Sequence, residues 1–257
     1  MSQISNYGEN ALINFWLRDT ALAMPTMYLS AHTGDPGETG ANELAGGNYT
    51  RIAAPTWNAP SGRAITNADI VKFPLMIAAV GTITHIAVWD AMSGGNLWWY
   101  SSALSLSIVT ETGISPAIAP AAINIGLGGE VSTYLSHATL NHLFRGVEYT
   151  RPGTSIYASL HTGDPGLTGA SEVSGNNYAR VQVSAWDAPS NGATANTNNI
   201  TWPVPTPSSF GTITHKGLFD AATSGNFLIA ANLDVSLVTS AGSAPQDNAG
   251  SFDVVVE

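Results

Sequence analysis

The chain has 257 residues, 18 acidic and 8 basic side chains and no cysteine. A net charge of −10 opposes nucleic-acid binding, which needs Lys and Arg to displace phosphate counterions; the missing cysteines exclude disulfides, thiol chemistry and Cys-based zinc sites. No apolar run approaches the roughly 18 residues of a membrane span, residues 1–10 show no basic region leading into an apolar one and so predict no secretory signal, and a hydrophobic content of 44% with 7 Trp supplies ample core.

From the N-terminus, Leu12, Phe15 and Trp16 fall at helical spacing behind Ser5 or Asn6 as a cap, which predicts one amphipathic helix. Short segments rich in β-branched and aromatic residues follow at Tyr28–His32, Tyr49–Trp57, Ile65–Phe73, Thr82–Trp89, Leu97–Leu104 and Ala121–Leu127. Turn residues separate them: Ser61-Gly62 and Ser93-Gly94-Gly95-Asn96 read as hairpin turns. Val131, Leu135, Leu140, Leu143 and Phe144 then form a second, looser helical stripe.

The pattern after that stripe is a second copy of the first. Residues 28–41 read YLSAHTGDPGETGA and residues 157–170 read YASLHTGDPGLTGA. At this offset of 129, segments 27–74 and 156–203 share 23 of 48 residues. The match continues through the two GTITH strings at 81–85 and 211–215, with one residue inserted in the second copy. Such a period is domain-sized and far longer than a solenoid or propeller unit. The expected organisation is mainly β: two tandem β-sandwich domains, 1–127 and 128–257, each preceded by a short N-terminal helix. The first copy carries 4 basic and 8 acidic residues, the second 4 and 10, so their charges are −4 and −6. The Gly126–Gly129 seam allows a turn and little wandering, so the halves are expected to pack as a covalent pseudo-dimer.

Several residues invite a chemical reading. His32 with Asp35, and His161 with Asp164, could be metal or acid/base pairs; the following Pro36 and Pro165, each with a glycine, instead favour a turn in which the Asp accepts local N–H groups. His85 and His215 lie within strand patterns with no marked nucleophile nearby, which favours packing over catalysis. Asp90 and Asp220 could belong to a carboxylate pair, but the Gly-Asn that follows each favours the start of a hairpin. Glu43 with Arg51, repeated as Glu172 with Arg180, could form salt bridges of modest worth if exposed. Trp98, Trp99 and Tyr100 stand where the second copy has Leu228, Ile229 and Ala230. Alternation along a strand predicts that Trp98 or Trp99 leaves the core, and an interface anchor is favoured over a sugar platform.

The order of these motifs is similar to that of a known group. Asn42–Arg51 and Ser171–Arg180, Phe73-Pro74 and Trp202-Pro203, Gly81–His85 and Gly211–His215, and Trp89–Asn96 and Phe219–Asn226 together resemble small bacteriophage virion structural proteins, a capsid-decoration and tail-fibre-like family. The usual unit there is one copy, so one chain here would stand for two. The resemblance implies no catalytic residues and no cofactor. It implies a virion protein, made in the bacterial host cytoplasm and placed on the exterior of the particle. The expected partners are other virion proteins, first the major capsid protein, together with self-association in the particle. Capsid decoration or cementing is the leading expectation, since charge depletion is an interface signature and duplication offers bivalent attachment. A tail or tail-fibre adaptor or receptor-binding module is the alternative, and a lectin-like glycan binder the third; no enzyme activity, nucleic acid or membrane is expected.

Overall fold

The computed structural model describes residues 3–101, 103–151 and 155–256. In chain order the first copy contains β1 (Gln3–Ile4), α1 (Asn6–Leu17), β2 (Tyr28–His32), β3 (Ile52–Ala53), β4 (Ala64–Thr66), β5 (Val71–Lys72), β6 (Thr82–Ile83), β7 (His85–Trp89), β8 (Leu97–Tyr100), β9 (Ile108–Val109), β10 (Ala117–Ile118) and β11 (Asn124–Gly126). The second contains α2 (Thr133–Arg145), β12 (Tyr157–His161), β13 (Val181–Gln182), β14 (Ala193–Ala195), β15 (Ile200–Thr201), β16 (Thr212–Phe219), β17 (Phe227–Val238), β18 (Gln246–Asp247) and β19 (Asp253–Val255).

The two helices start where a serine can satisfy their free N–H groups. Ser5 Oγ accepts from Gly8 N at 3.1 Å, and Ser132 Oγ accepts from Leu135 N at 3.1 Å. Gly146, in the left-handed region, ends α2.

The main sheets are antiparallel, ordered β1-β8-β7-β2-β3 in the first copy and β13-β12-β16-β17 in the second. Short ribbons accompany them: β4 with β11, β5 with β10 and β6 with β9, then β14 with β19 and β15 with β18. None of these sheets closes into a barrel, and the copies are β-sandwiches, as the turn spacing predicts. The strands are shorter than their sequence patterns. Ile65–Phe73 breaks into β4 and β5 at Asn67, which is fully buried. Its amide donates to the carbonyls of Asp69 and Ala119 and accepts from Ile123 N, tying the break to the last strand of the copy. Asn196 repeats this arrangement with Asn198, Asn248 and Phe252. A side chain bonding the backbone of neighbouring segments competes with continued ladder pairing.

The two copies meet reciprocally. Helix α1 packs on β8 of its own copy and on β14 of the other; α2 packs on β17 and on β4. Asn10 Oδ1 accepts from Gly192 N at the tip of one hairpin, while His137 Nε2 reaches the Gly62 carbonyl at the tip of the other, 2.6 Å away. Trp16 Nε1 donates to Thr139 Oγ1 between the helices at 3.0 Å. Arg18 bonds the Trp186 carbonyl, and Arg151 bonds Asp19 and the Thr20 carbonyl. Buried side chains of both copies, among them Leu12, Trp16, Trp57, Leu135 and Leu143, belong to one contiguous core. This is the covalent pseudo-dimer expected from the sequence, with the exchange of like contacts that defines an isologous pair.

Candidate functional site

The histidine of each HTGDPG string ends an inner strand, β2 or β12, and is fully buried. His32 Nδ1 lies 2.7 Å from the Ala41 carbonyl, which can only accept, so this nitrogen carries the proton. Its Nε2 lies 2.7 Å from Ser30 Oγ, and that hydroxyl accepts from Trp89 Nε1. His161 is held the same way by Ala170 and Ser159. Burial pushes both imidazoles below their ordinary pKa, against the Ala41 and Ala170 carbonyls, which favour the charged form. Asp35 and Asp164 accept from Gly37 N and Gly166 N at 2.9 and 2.7 Å, closing the turns that Pro36 and Pro165 initiate. Both ring nitrogens are therefore engaged in the fold and the aspartates serve their own turns. Among the described residues, no group of three or more His, Asp or Glu could hold a metal ion.

The glutamate–arginine pair is more than a surface salt bridge. Arg51 is buried, and its Nε and Nη2 donate to Glu43 Oε1 and Oε2 at 2.9 and 2.8 Å, a two-pronged pairing. Its Nη1 donates to the carbonyls of Ala91 and Gly94, and its guanidinium lies 3.7 Å over the Trp89 ring. Tyr49 Oη also donates to Glu43, at 3.1 Å. Arg180 repeats every contact with Glu172, Ala221, Ser224 and Phe219, and Tyr178 repeats that of Tyr49. Burial would raise the Glu43 carboxyl, but Arg51 holds it below its ordinary pKa. The clamp ties the 43–51 loop to the hairpin after β7, where Asp90 accepts from Asn96 N and Nδ2; Asp220 and Asn226 match it. His85 and His215 are half-buried beside Thr84 and Thr214 hydroxyls.

Trp98, Trp99 and Tyr100 require a correction. They are 1%, 0% and 7% exposed, so neither tryptophan leaves the core. The reason is a bulge. Trp89 pairs with Leu97 and Val88 with Trp99, which leaves Trp98 as an extra residue. Alternation is broken there, and both tryptophans enter the main core while Leu97 and Tyr100 face a smaller cluster with Ala87 and Trp89. The indoles stack 5.7 Å apart, and Trp99 meets Phe144 from the second copy at 5.4 Å. Trp99 thus serves the interface inside the chain, and neither tryptophan offers a stacking face to solvent. Tyr100 Oη donates to Glu38, which also accepts from Asn6 N. That carboxylate borders a cavity of about 910 Å³ beside Glu9, Arg63 and Leu104.

The surface feature common to both copies lies elsewhere. Leu106 is 78% exposed and Val109 60%; their counterparts Val235 and Val238 are 79% and 72% exposed. Leu75, Ile77 and Ile114 are also exposed, as is Val204 at the position of Leu75. These segments are tied together at one end of each sandwich. Val109 pairs with Thr82, Met76 N bonds the Ile114 carbonyl, and Ile77 N bonds the Gly47 carbonyl. Val238 pairs with Thr212, and Thr206 N bonds the Asn176 carbonyl. No charged residue occurs in 73–84, 103–110, 202–214 or 235–246. Interface cores are depleted of charge in this way. Sequence reading missed these positions because a β-branched residue predicts a strand without telling which face is covered.

A family model described as podophage GP4 fiber I protein gp80 matches residues 3–125 and, separately, residues 130–254. No curated protein matches the chain.

Proposed function

The chain belongs, twice over, to the podophage GP4 fiber I protein gp80 family, and from this premise we propose that one chain fills two equivalent positions in a phage fibre assembly, docking through the apolar ends of its two copies. The family membership makes it a phage structural protein carrying a tandem duplication. The observation that carries the docking reading is the exposure of Leu106 and Val109 in one copy and of Val235 and Val238 at matching positions in the other. Solitary exposed apolar residues are ordinary, but a repeated group on charge-poor segments is what a contact surface presents. A rigid, reciprocal pairing of the copies fixes the spacing of the two ends. Both can then engage a partner that presents paired sites, and avidity of roughly 10²–10⁴ over a single contact follows without new chemistry.

The fibre reading is preferred to capsid decoration because the family description refers to fibres and not to the shell. The partner is accordingly another fibre or tail protein rather than the major capsid protein, and the place is the outside of the particle. The role is structural, not catalytic: the conspicuous histidines, aspartates and the Glu–Arg pairs all hold the fold. The test is incorporation into particles of the Val109→Glu/Val238→Glu double variant. Either single variant should enter at reduced copy number and the double variant should be absent, with the circular dichroism of the wild type retained. Full incorporation of the folded double variant would refute the docking surface.

A further inference from the structure

The two copies also differ in the interior of the second sandwich. Lys216, in the middle of β16, is buried. Its Nζ donates to Asp247 Oδ2 at 2.7 Å and to the Ser251 carbonyl at 2.8 Å, and lies 4.6 Å from the Phe252 ring centre. Asp247 is on β18, the first of two short strands that close the second copy. At the matching positions of the first copy the residues are Ile86 and Ile118, both buried, and Ser251 and Phe252 correspond to Ala122 and Ile123. A buried apolar pair in one copy is thus a buried ion pair in the other.

A duplicated fold faces a particular error. The closing segments 117–126 and 246–255 make the same backbone ladders, β10 with β5 and β11 with β4 in one copy, β18 with β15 and β19 with β14 in the other. Ladder bonds carry no record of which copy a strand came from, so each segment could close the wrong sandwich, within one chain or between two. The side chains do carry such a record. Segment 117–126 docked on the second copy would leave Lys216 facing Ile118 with no carboxylate. Segment 246–255 docked on the first would bring Asp247 to Ile86 with no cation. A buried charge without its partner is strongly unfavourable, whereas the native ion pair need not stabilise more than an apolar pair would.

We propose that Lys216 and Asp247 form a self-recognition device, which makes each copy accept only its own closing strands and so keeps the tandem chain from exchanging them. What matters in this account is the difference between the copies, not the presence of charge. Removing the pair from the second copy and adding it to the first should therefore cause the same fault.

The natural absence of cysteine makes the pairing readable by disulfide trapping. Ala195 is opposite Asp253 in the native ladder, so an Ala195→Cys/Asp253→Cys pair reports correct closure. Asn124 occupies the position of Asp253 in the first copy, so an Asn124→Cys/Ala195→Cys pair reports exchanged closure. The full-length protein is unfolded, refolded and oxidised, and non-reducing gels separate links within a chain from links between chains. With Lys216 and Asp247 present, the first reporter should cross-link and the second should not. In Lys216→Ile/Asp247→Ile the exchange reporter should cross-link in a substantial fraction of chains, and likewise in Ile86→Lys/Ile118→Asp. The second background keeps the native pair intact, so misfolding of the first cannot decide the outcome alone. Exchange no higher than in the parent in both backgrounds would overturn the proposal. Exchange only where the native pair is removed would also overturn it, since mere stabilisation by the pair would explain that result.

Discussion

One arginine in each copy, Arg51 or Arg180, ties a loop to the hairpin that follows β7 or β16. Arg51 bonds one carboxylate, two carbonyls and an indole face, and few substitutions could preserve that set. Lysine lacks the planar fork, so even Arg51→Lys is not conservative here. Arg51→Met should lower stability by about 2–4 kcal/mol, because it strands a partly buried carboxylate and two carbonyls. The shift in denaturant midpoint at neutral pH measures it, and a change within error would contradict the clamp. The buried histidines make a pH prediction of definite sign. Burial lowers their folded-state pKa below the ordinary 6.5, so the unfolded chain binds protons first as pH falls. These histidines should contribute no change between about pH 7.5 and 9, and stability should decline as the pH drops through 6.5, the ordinary value from which the fold displaces them. Glu43, held low, adds its own loss only in the carboxylate range, below its ordinary 4.5. Midpoints at pH 8, 6 and 5 should resolve the first decline, and replacing both His32 and His161 by Gln should remove it.

At the level of elements, sequence and structure agree where local chemistry decides. Ser5 caps α1 as the sequence predicts, and the stripes through Trp16 and Leu143 face the shared core. The inner strands ending in His32 and His161 are legible from their composition and the turn that follows. Two things were not legible. Asn67 and Asn196 look like turn residues, but only the fold shows that they bond segments more than 50 positions away. The bulge at Trp98 is also invisible, because an unbroken apolar run has no period to reveal an inserted residue. Its consequence is measurable. Trp99 is fully buried and touches the other copy, so Trp99→Ala should cost about 3–5 kcal/mol. An exposed anchor would instead leave the thermal midpoint unchanged. Losing the cap hydroxyl in Ser132→Ala should cost about 1 kcal/mol.

For the molecule as a whole, the repeat announces the architecture and the shared core shows how it is used. The two segments of the family match, 3–125 and 130–254, correspond to sandwiches that bury Trp16, Trp57, Leu135 and Leu143 in a common interior. Expressed alone, 1–127 or 128–257 would expose that interior to water. Each half is expected to be poorly soluble or to self-associate, and the two co-expressed should recover a one-to-one complex, checked by light scattering after size exclusion. Independent, monomeric, fully stable halves would contradict the shared core. The charge balance gains meaning at this scale: charge-poor segments with exposed apolar residues recur at matching positions of the two copies. The most direct measurement of the account is a cryo-electron-microscopy map of the phage particle at side-chain resolution. The account predicts this chain in the fibre assembly, each copy in an equivalent position, with Leu106 and Val109, and Val235 and Val238, against neighbouring protein. A chain spread over the capsid shell, or one with both apolar ends facing solvent, would contradict it.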